Sequence, residues 1–300
     1  MSRKSWAAFI ALSIIWGIPY LLIRVAVRQL DPITLVFFRT LPAGLILLPF
    51  ALRSGKLASL RGHFRWVLAY AFCEFGIPWL FMGTAEKHLS SSLTALLVAG
   101  VPLVGAVLYR FTHAAEHLGP KRSIGLGVGA LGVMLAVGLD ISGSSWAGVA
   151  EMLVAVLGYT LGPLVISTKL RDLPGVAVVA SSLLFVGVVY SPWALTHLPS
   201  PWHSETIWSV VLLIIFPTMA GFLLFFALIV DAGPSRATVV TYINPAVAII
   251  LGVVILSEPL TVGLIVGFPL IIAGSILATA NASPAERRME QSLLGDAEAP

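Results

Sequence analysis

The stretch AEHLGPKRSIGLGVGALGVMLAV at 115–137 returns in altered form as SEPLTVGLIVGFPLIIAGSILAT at 257–279. In each copy an acidic residue and a leucine precede an apolar run that carries glycines at matching positions. Four of the identical pairs, each 142 positions apart, are Glu116 and Glu258, Leu118 and Leu260, Gly125 and Gly267, and Gly132 and Gly274. A long apolar run with few charges predicts a helix inside a bilayer. Its recurrence predicts a chain built from two copies of one unit.

The composition of the chain is that of a membrane protein. Of its 300 residues, 58% are hydrophobic and 11% are charged, whereas soluble domains carry about 25% charged residues. The formal net charge is +4, but the basic residues stand in short clusters between apolar runs, so we do not expect nucleic-acid binding. The single cysteine, Cys73, excludes an intramolecular disulfide and a cysteine-rich metal site.

Apolar runs of membrane-spanning length fill most of the chain. A helix needs about 20 residues to cross a hydrocarbon core of about 30 Å. Ten runs of this kind are separated by short connections, so we expect an all-α integral membrane protein with ten transmembrane helices. The predicted spans are 5–29, 32–53, 64–85, 89–112, 120–139, 146–169, 175–195, 207–231, 234–257 and 261–281.

The positions of lysine and arginine predict the orientation of these spans. An even number of spans places both termini on one side, and cytoplasmic loops are enriched in Lys and Arg. With both termini in the cytoplasm, 14 of the 18 basic residues lie on the cytoplasmic side and 3 lie outside, while Arg39 falls within a span. We therefore expect both termini to be cytoplasmic.

The repeat divides the chain into two halves of five spans. Pro32 and Pro174, which are also 142 residues apart, each open the second helix of a half. The predicted domains are 1–140 and 141–282, followed by a polar tail, 283–300, that we expect to be disordered. Because each half has an odd number of spans, the second half enters the membrane in the opposite direction. Such inverted repeats are typical of transporters.

Longer stretches of both halves resemble a known family. The segments at 85–135 and 237–277 are similar to the paired EamA-type repeats of the drug/metabolite transporter superfamily, and WGIPYLLIRVAVRQLDPITLVFFRTLPAGLILL at 16–48 resembles that family's first two helices. The match is specific at SEPLT in the second half and departs from the family pattern at YRFTHAAEHL in the first. The resemblance covers 5–280. It implies ten helices in two inverted halves, a bacterial inner-membrane location, and export or exchange of small metabolites, with the amino-acid exporters as the most similar subgroup.

Two ionisable residues lie deep inside predicted spans. Arg39 is about 10 Å into the second span from the outer side, and Glu74 is about 15 Å into the third. Ionisable groups are costly in hydrocarbon and mark functional sites by default. A zwitterionic amino acid needs a cationic and an anionic partner, and these two residues offer one of each. A structural ion pair, or hydrogen bonds to neighbouring helix carbonyls, is the alternative for both, and Glu74 is also a candidate carrier of a coupling proton.

Aromatic and amide side chains at similar depth complete the predicted substrate site. Trp16 and Tyr20 are spaced i and i+4 and share one face of the first helix. Such side chains stack on an apolar substrate while their polar atoms fix its orientation, although packing between helices is the alternative. The predicted substrate-binding residues are Trp16, Tyr20, Arg39, Glu74, Trp79, Tyr159, Tyr242 and Asn244.

Prolines and glycines inside the spans predict helix breaks and close packing. A proline within a span removes a helix hydrogen bond, which a membrane tolerates where the backbone is buried or lines a cavity. The candidate hinges for alternating access are Pro19, Pro78, Pro102, Pro163, Pro217 and Pro245, with static kinks as the alternative. Small-residue faces at Gly125, Gly129, Gly263 and Gly267 predict close helix packing, or a contact in a weak homodimer if the chain is not a monomer.

The function predicted from the sequence is secondary transport of a small molecule, without enzymatic activity, cofactor or metal. No ATPase motif is visible, so a gradient or exchange must supply the energy. Within transporters, the alternative is a multidrug or sugar-nucleotide-type exchanger. From other classes, the alternatives are a sensory or scaffolding protein and an intramembrane zinc peptidase that would use His113, Glu116 and His117 of HAAEH. The counterpart of Glu116, Glu258, has no flanking histidines, which disfavours the peptidase.

Overall fold

The structure is a computed structural model that describes residues 3–53, 57–112, 120–140, 146–232 and 240–278, and the regular elements in these ranges are all helical. The α-helices, numbered in chain order, are α1 Arg3–Ile15, α2 Pro19–Ala26, α3 Pro32–Arg53, α4 Phe64–Ala71, α5 Ile77–Ala85, α6 Ser91–Val98, α7 Val101–Thr112, α8 Pro120–Asp140, α9 Trp146–Lys169, α10 Gly175–Ala194, α11 Ser204–Leu213, α12 Gly221–Ala232, α13 Val240–Leu256 and α14 Val262–Ala278. A 3-10 helix, Leu57–His63, leads into α4.

Eight stretches of the described residues are long and apolar enough to cross a membrane. They are Lys4–Ala26, Pro32–Arg53, Ser59–Ala85, Ser91–Leu108, Pro120–Leu139, Trp146–Lys169, Gly175–Ala194 and Ser204–Leu228. Two shorter apolar helices of 17 residues each, α13 and α14, occupy the positions of the last two predicted spans. The prediction of an all-helical membrane protein is confirmed, while the ten predicted spans correspond to eight long helical stretches and these two shorter helices.

Several of these stretches are interrupted inside the membrane. The first breaks between α1 and α2, just before Pro19. The third contains a π-helical turn at Phe72–Gly76 between α4 and α5, and the eighth contains another at Ile214–Ala220 between α11 and α12. The two π turns begin 142 residues apart, which is also the spacing between the copies of the sequence repeat. Such turns widen a helix locally and are frequent at functional sites.

The described residues of 1–98 and 141–260 form one compact unit, which contains α1 to α6 and α9 to α13. Within it, α3 lies along α10, and glycines at the contact bring the two backbones close together. A Cβ atom at Gly187 would lie 2.7 Å from the Leu41 Cβ, and one at Gly44 would lie 2.8 Å from the Leu184 Cγ. Only glycine fits at such contacts, so these positions fix how α3 is held.

The described residues of 99–140 and 261–278 form a second compact unit, made of α7, α8 and α14. Here α8 crosses α14 through facing glycines. A Cβ atom at Gly274 would collide with the Gly129 backbone, and one at Gly132 would lie 2.8 Å from the Ile271 nitrogen. The close packing predicted for Gly125, Gly129 and Gly267 is thus confirmed, with partners inside the chain itself.

Candidate substrate site

Arg39 is buried on α3, in the first compact unit. Its side chain is 5% exposed, and its Nε donates a hydrogen bond of 3.0 Å to the Thr218 hydroxyl in the second π turn. The guanidinium carbon lies 3.4 Å from the centre of the Trp79 ring, within the range of a cation–π interaction. Its Nη1 atom is buried and has no hydrogen-bond partner. One donor of a buried cation is therefore unsatisfied.

Aromatic side chains from three helices surround this guanidinium. Trp79 on α5 is 5% exposed, and its side chain interacts with the Tyr159 hydroxyl of α9. Tyr20 on α2 is buried, and both tyrosines interact electrostatically with Arg39. We call Tyr20, Arg39, Trp79, Tyr159 and Thr218 the Arg39 cluster. Four of its five members were predicted from the sequence to bind substrate.

Glu74 lies in the first π turn, and its Oε2 atom is buried without a hydrogen-bond partner. Its carboxylate fits against Gly162 of α9, where a Cβ atom would collide with it. Glu74 and Arg39 do not form an ion pair, although both interact electrostatically with Tyr159. The structural ion pair considered from the sequence is therefore not the arrangement observed, and each group retains an unsatisfied atom.

Trp16 is tied to the same π turn that holds Arg39. Its indole N–H donates a hydrogen bond of 3.1 Å to the carbonyl of Pro217, the residue before Thr218. Its ring packs on Phe222 and Phe225, with ring centres 5.8 and 5.0 Å apart. Trp16 thus stabilises the second π turn, which contributes Thr218 to the Arg39 cluster.

The last two predicted binding residues lie on α13. The Asn244 amide nitrogen, in the orientation that satisfies its neighbours, lies 3.1 Å from the Ser13 carbonyl oxygen and 2.9 Å from the Val240 carbonyl oxygen. The contact with Ser13 joins α13 to α1, whereas the contact with Val240 lies within α13. Tyr242 is half-buried on the same helix.

The six predicted hinge prolines fall into two groups. Pro19, Pro78 and Pro102 lie within the first two positions of α2, α5 and α7, each just after an interruption, and Pro217 lies inside the second π turn. Pro163 and Pro245 lie within the continuous helices α9 and α13. Helix breaks therefore accompany the first group only.

Glu86 is a residue that sequence reasoning missed. It follows the span Ser59–Ala85 directly, it is 0% exposed, and neither of its carboxylate oxygens has a hydrogen-bond partner. The Arg24 guanidinium donates to the backbone carbonyl of Glu86 instead of to its carboxylate. Burial raises the pKa of the Glu86 carboxyl well above its usual range, and the charge of Arg24 opposes that rise. A loop position in the sequence gave no signal of this burial.

Glu258, from the repeated stretch, shows the opposite arrangement. Its carboxylate accepts hydrogen bonds of 2.8 and 3.1 Å from the backbone N–H groups of Ser91 and Ser92, and one of 2.6 Å from the Ser92 hydroxyl. These backbone groups belong to the first turn of α6, whose N–H groups have no partner within the helix. Glu258 therefore caps α6 from a distant part of the chain.

A metal site was not expected from the sequence. Among the described residues, His, Cys, Asp and Glu side chains do not gather in a group of three that could hold a metal ion. The three residues of the zinc-peptidase alternative, His113, Glu116 and His117, lie outside the described ranges.

The chain has several membrane-spanning helices, and some of them are interrupted beside a buried polar cluster whose hydrogen bonds are incomplete. These features are those of a multi-pass membrane transporter. The chain belongs to the EamA-like transporter family, within the drug/metabolite transporter superfamily, and the family profile matches residues 4–138 and 146–280.

Two relatives of this chain are named as uncharacterized transporters. The uncharacterized inner membrane transporter YedA of Escherichia coli K12 is 30% identical over 261 residues, which cover 82% of this chain and 81% of YedA. The uncharacterized transporter YvbV of Bacillus subtilis 168 is 25% identical and covers 89% of this chain and 88% of its own. A crystal structure of another protein matches with a TM-score of 0.66 at 20% identity, over 93% of this chain and 98% of that one, and this likeness concerns the fold alone.

Proposed function

We propose that this protein exports small metabolites that carry a carboxylate, foremost aromatic or other neutral amino acids, across the bacterial inner membrane. The observation that carries the proposal is the buried Arg39 guanidinium, whose Nη1 has no partner. An unsatisfied buried donor on a cation is costly, and a carboxylate is the ligand that best satisfies it. The names of the relatives support transport but leave the substrate open.

The other members of the site match the remaining parts of an amino acid. The Trp79, Tyr20 and Tyr159 rings around the guanidinium supply apolar faces for a side chain. Glu74, with its unsatisfied Oε2, supplies an acceptor for the ammonium group. Tyr159 interacts with both charged residues and so marks the place where the two ends of a zwitterion would be held.

Alternating access between two inverted halves, 1–140 and 141–282, is the mechanism that we propose for transport, with both termini in the cytoplasm. Two π turns at equivalent positions of the sequence repeat support it, since one carries Glu74 and the other accepts hydrogen bonds from Arg39 and Trp16. A substrate bound between such turns would hold both halves at once. Movement at the broken helices that begin with Pro19 and Pro78 would then expose the site to either side.

Counterflow into proteoliposomes tests the function. Purified protein is reconstituted in vesicles loaded with unlabelled phenylalanine, leucine or threonine, and uptake of the same labelled amino acid is followed. We expect faster uptake than in empty vesicles for at least one of them. Arg39→Ala should lower the apparent affinity about 10- to 100-fold, because a hydrogen bond to a charged group contributes about 1.5–3 kcal/mol.

Arg171→Ala is the matched control, since Arg171 is an exposed arginine that forms an ion pair with the exposed Asp172. It should transport like the wild type. Arg39→Lys keeps the charge but loses the planar contact with Trp79. Its apparent affinity for the amino acid should therefore lie between those of Arg39→Ala and Arg171→Ala. Failure of all three amino acids to exceed empty vesicles, or equal behaviour of the Arg39 and Arg171 variants, would contradict the proposal.

The unsatisfied Oε2 of Glu74 favours a second candidate, a multidrug exchanger for organic cations. The same vesicles separate the two functions when they are given a labelled quaternary ammonium compound. A cation exchanger would lose this uptake in Glu74→Gln and keep it in Arg39→Ala, whereas an amino-acid exporter would depend on Arg39.

A further inference from the structure

Two helices connect the Arg39 cluster with Glu86. On α2, Tyr20 and Arg24 are spaced i and i+4 and therefore share a face. Trp79 lies on α5, and Glu86 follows the last residue of that helix. These two residues are seven positions apart, which places them on one face about 10 Å from each other along the helix axis. Tyr20 and Trp79 belong to the Arg39 cluster. Arg24 and Glu86 lie further towards the C-terminal ends of α2 and α5, where the Arg24 guanidinium donates a hydrogen bond to the Glu86 carbonyl. The polar groups thus continue from the cluster to the end of the span.

The Glu86 side chain is in an environment that fits a neutral carboxyl group. It is fully buried, and neither oxygen accepts a hydrogen bond. The Arg24 guanidinium, which could have paired with it, donates to the backbone carbonyl of the same residue. A buried carboxylate without hydrogen bonds is far more costly than a buried carboxylic acid, so this site favours a bound proton.

The charged and titratable groups that face Glu86 come from several elements. Arg24 on α2 and Arg39 on α3 favour its ionised form, while Glu258, which follows α13, favours the protonated form. The Tyr20 hydroxyl of α2 also interacts with it. Lys87 and His88, which follow it in the chain, are exposed to solvent. Arg39 is therefore the one charged member of this set that also belongs to the proposed substrate site.

We propose that Glu86 binds a proton whose uptake strengthens the binding of a carboxylate ligand at Arg39. When Glu86 is ionised, its negative charge partly offsets the positive charge of Arg39. When Glu86 takes up a proton from the water on the open side of the site, that positive charge is left for the ligand. By linkage, a bound carboxylate must in turn hold the proton on Glu86. This inference rests on the proposed function only in placing a carboxylate at Arg39.

Infrared spectroscopy of the full chain in lipid nanodiscs, without added ligand, tests the proton itself. At neutral pH the spectrum of the wild type minus that of Glu86→Gln should show the carbonyl stretch of a protonated carboxyl group. Glu86→Asp, which keeps a carboxyl group, should shift the band and not remove it. Glu205→Gln is the control because Glu205 is exposed, and it should leave the band unchanged. A difference spectrum without this band would overturn the proposal.

Calorimetric titration with benzoate tests the linkage. Benzoate carries a carboxylate and a ring but no ammonium group, so it probes Arg39 without depending on amino-acid transport. The titration is done at a pH high enough to ionise Glu86 in the free protein, as shown by loss of its infrared band, and in two buffers of different ionisation enthalpy. Under these conditions binding to the wild type should take up a proton, and the affinity should fall as pH rises. Glu86→Gln should bind benzoate without proton uptake and with an affinity independent of pH.

The outcomes separate this inference from the proposed function. If benzoate binds with proton uptake while none of the amino acids is transported, the proton site stands and the amino-acid proposal fails. If benzoate binds to the wild type without proton uptake, or does not bind at all, the linkage fails whatever the vesicles transport.

Discussion

Glu258 and Glu86 are acidic residues of the same compact unit, and their surroundings differ completely. Three donors at the start of α6 satisfy the Glu258 carboxylate. The Glu86 carboxylate has no donor at all, and the same is true of the buried Oε2 of Glu74. A fold that only needed these groups for stability would bond them as it bonds Glu258, because an unsatisfied buried polar atom costs about 1–3 kcal/mol. The contrast identifies Glu258 as structural and leaves Glu74 and Glu86 available for ligands.

The same contrast applies to the two arginines that lie near these acids. Arg24 uses its guanidinium to bond a backbone carbonyl, which holds α2 beside the end of α5. Arg39 makes one hydrogen bond, stacks on Trp79 and leaves Nη1 unused. Satisfaction of hydrogen bonds therefore separates the residues that hold helices together from those that could hold a substrate. The following predictions test this separation, beginning with the largest expected change in stability.

Glu258→Ala should lower the free energy of unfolding by about 3 kcal/mol. The variant leaves two backbone N–H groups at the start of α6 unpaired and removes a negative charge from the positive end of that helix. Thermal unfolding in detergent measures the loss. Glu205→Ala is the control, because Glu205 also lies in the first turn of a helix, α11, but is exposed. Equal effects of the two variants would mean that the hydrogen bonds to Glu258 contribute little.

Gly162→Ala should destabilise the protein by about 2 kcal/mol, since a Cβ atom there would collide with the Glu74 carboxylate and move it. The displaced carboxylate should also weaken amino-acid uptake. Gly127→Ala is the matched control: it changes a glycine within α8 that has open space around it, and it should be neutral or stabilising by up to about 1 kcal/mol. A Gly162→Ala protein as stable as the Gly127→Ala protein would show that Glu74 has room to move.

The sequence predicted what depends on patterns along a single helix. Long apolar runs gave the helical membrane fold, and the depth of Arg39 and Glu74 within those runs marked them as candidates, because a charge in hydrocarbon is unusual wherever its partners lie. Tyr20, Trp79 and Tyr159 were found in the same way. Asn244 was assigned to the substrate site by its depth, and the structure adds a contact with Ser13 that joins α13 to α1, which depth alone could not show.

What the sequence could not supply depends on contacts between distant helices. Thr218 is an ordinary residue in an apolar run, but it lies in the π turn and accepts the Arg39 hydrogen bond. Glu86 follows the end of a span, in a position typical of a solvated loop, and only the packing of neighbouring helices buries it. The partners of Glu258 are more than 160 residues away in the chain. Residue spacing carries no information on such pairings.

Of the variants discussed, Glu74→Gln should change the free energy of unfolding least and the rate of transport most. The substitution removes a charge from a buried atom that makes no hydrogen bond, so no protein contact is lost and the free energy of unfolding should change by less than about 1 kcal/mol, with a gain as the expected direction. If Glu74 receives the ammonium group of an amino acid, the same variant should lose most of the counterflow seen with the wild type. Thermal unfolding and uptake are measured on one preparation, so that misfolding cannot imitate the loss of transport. A large fall in stability with transport intact would reverse the distinction drawn here, because it would place Glu74 with Glu258 among the residues that hold the helices together.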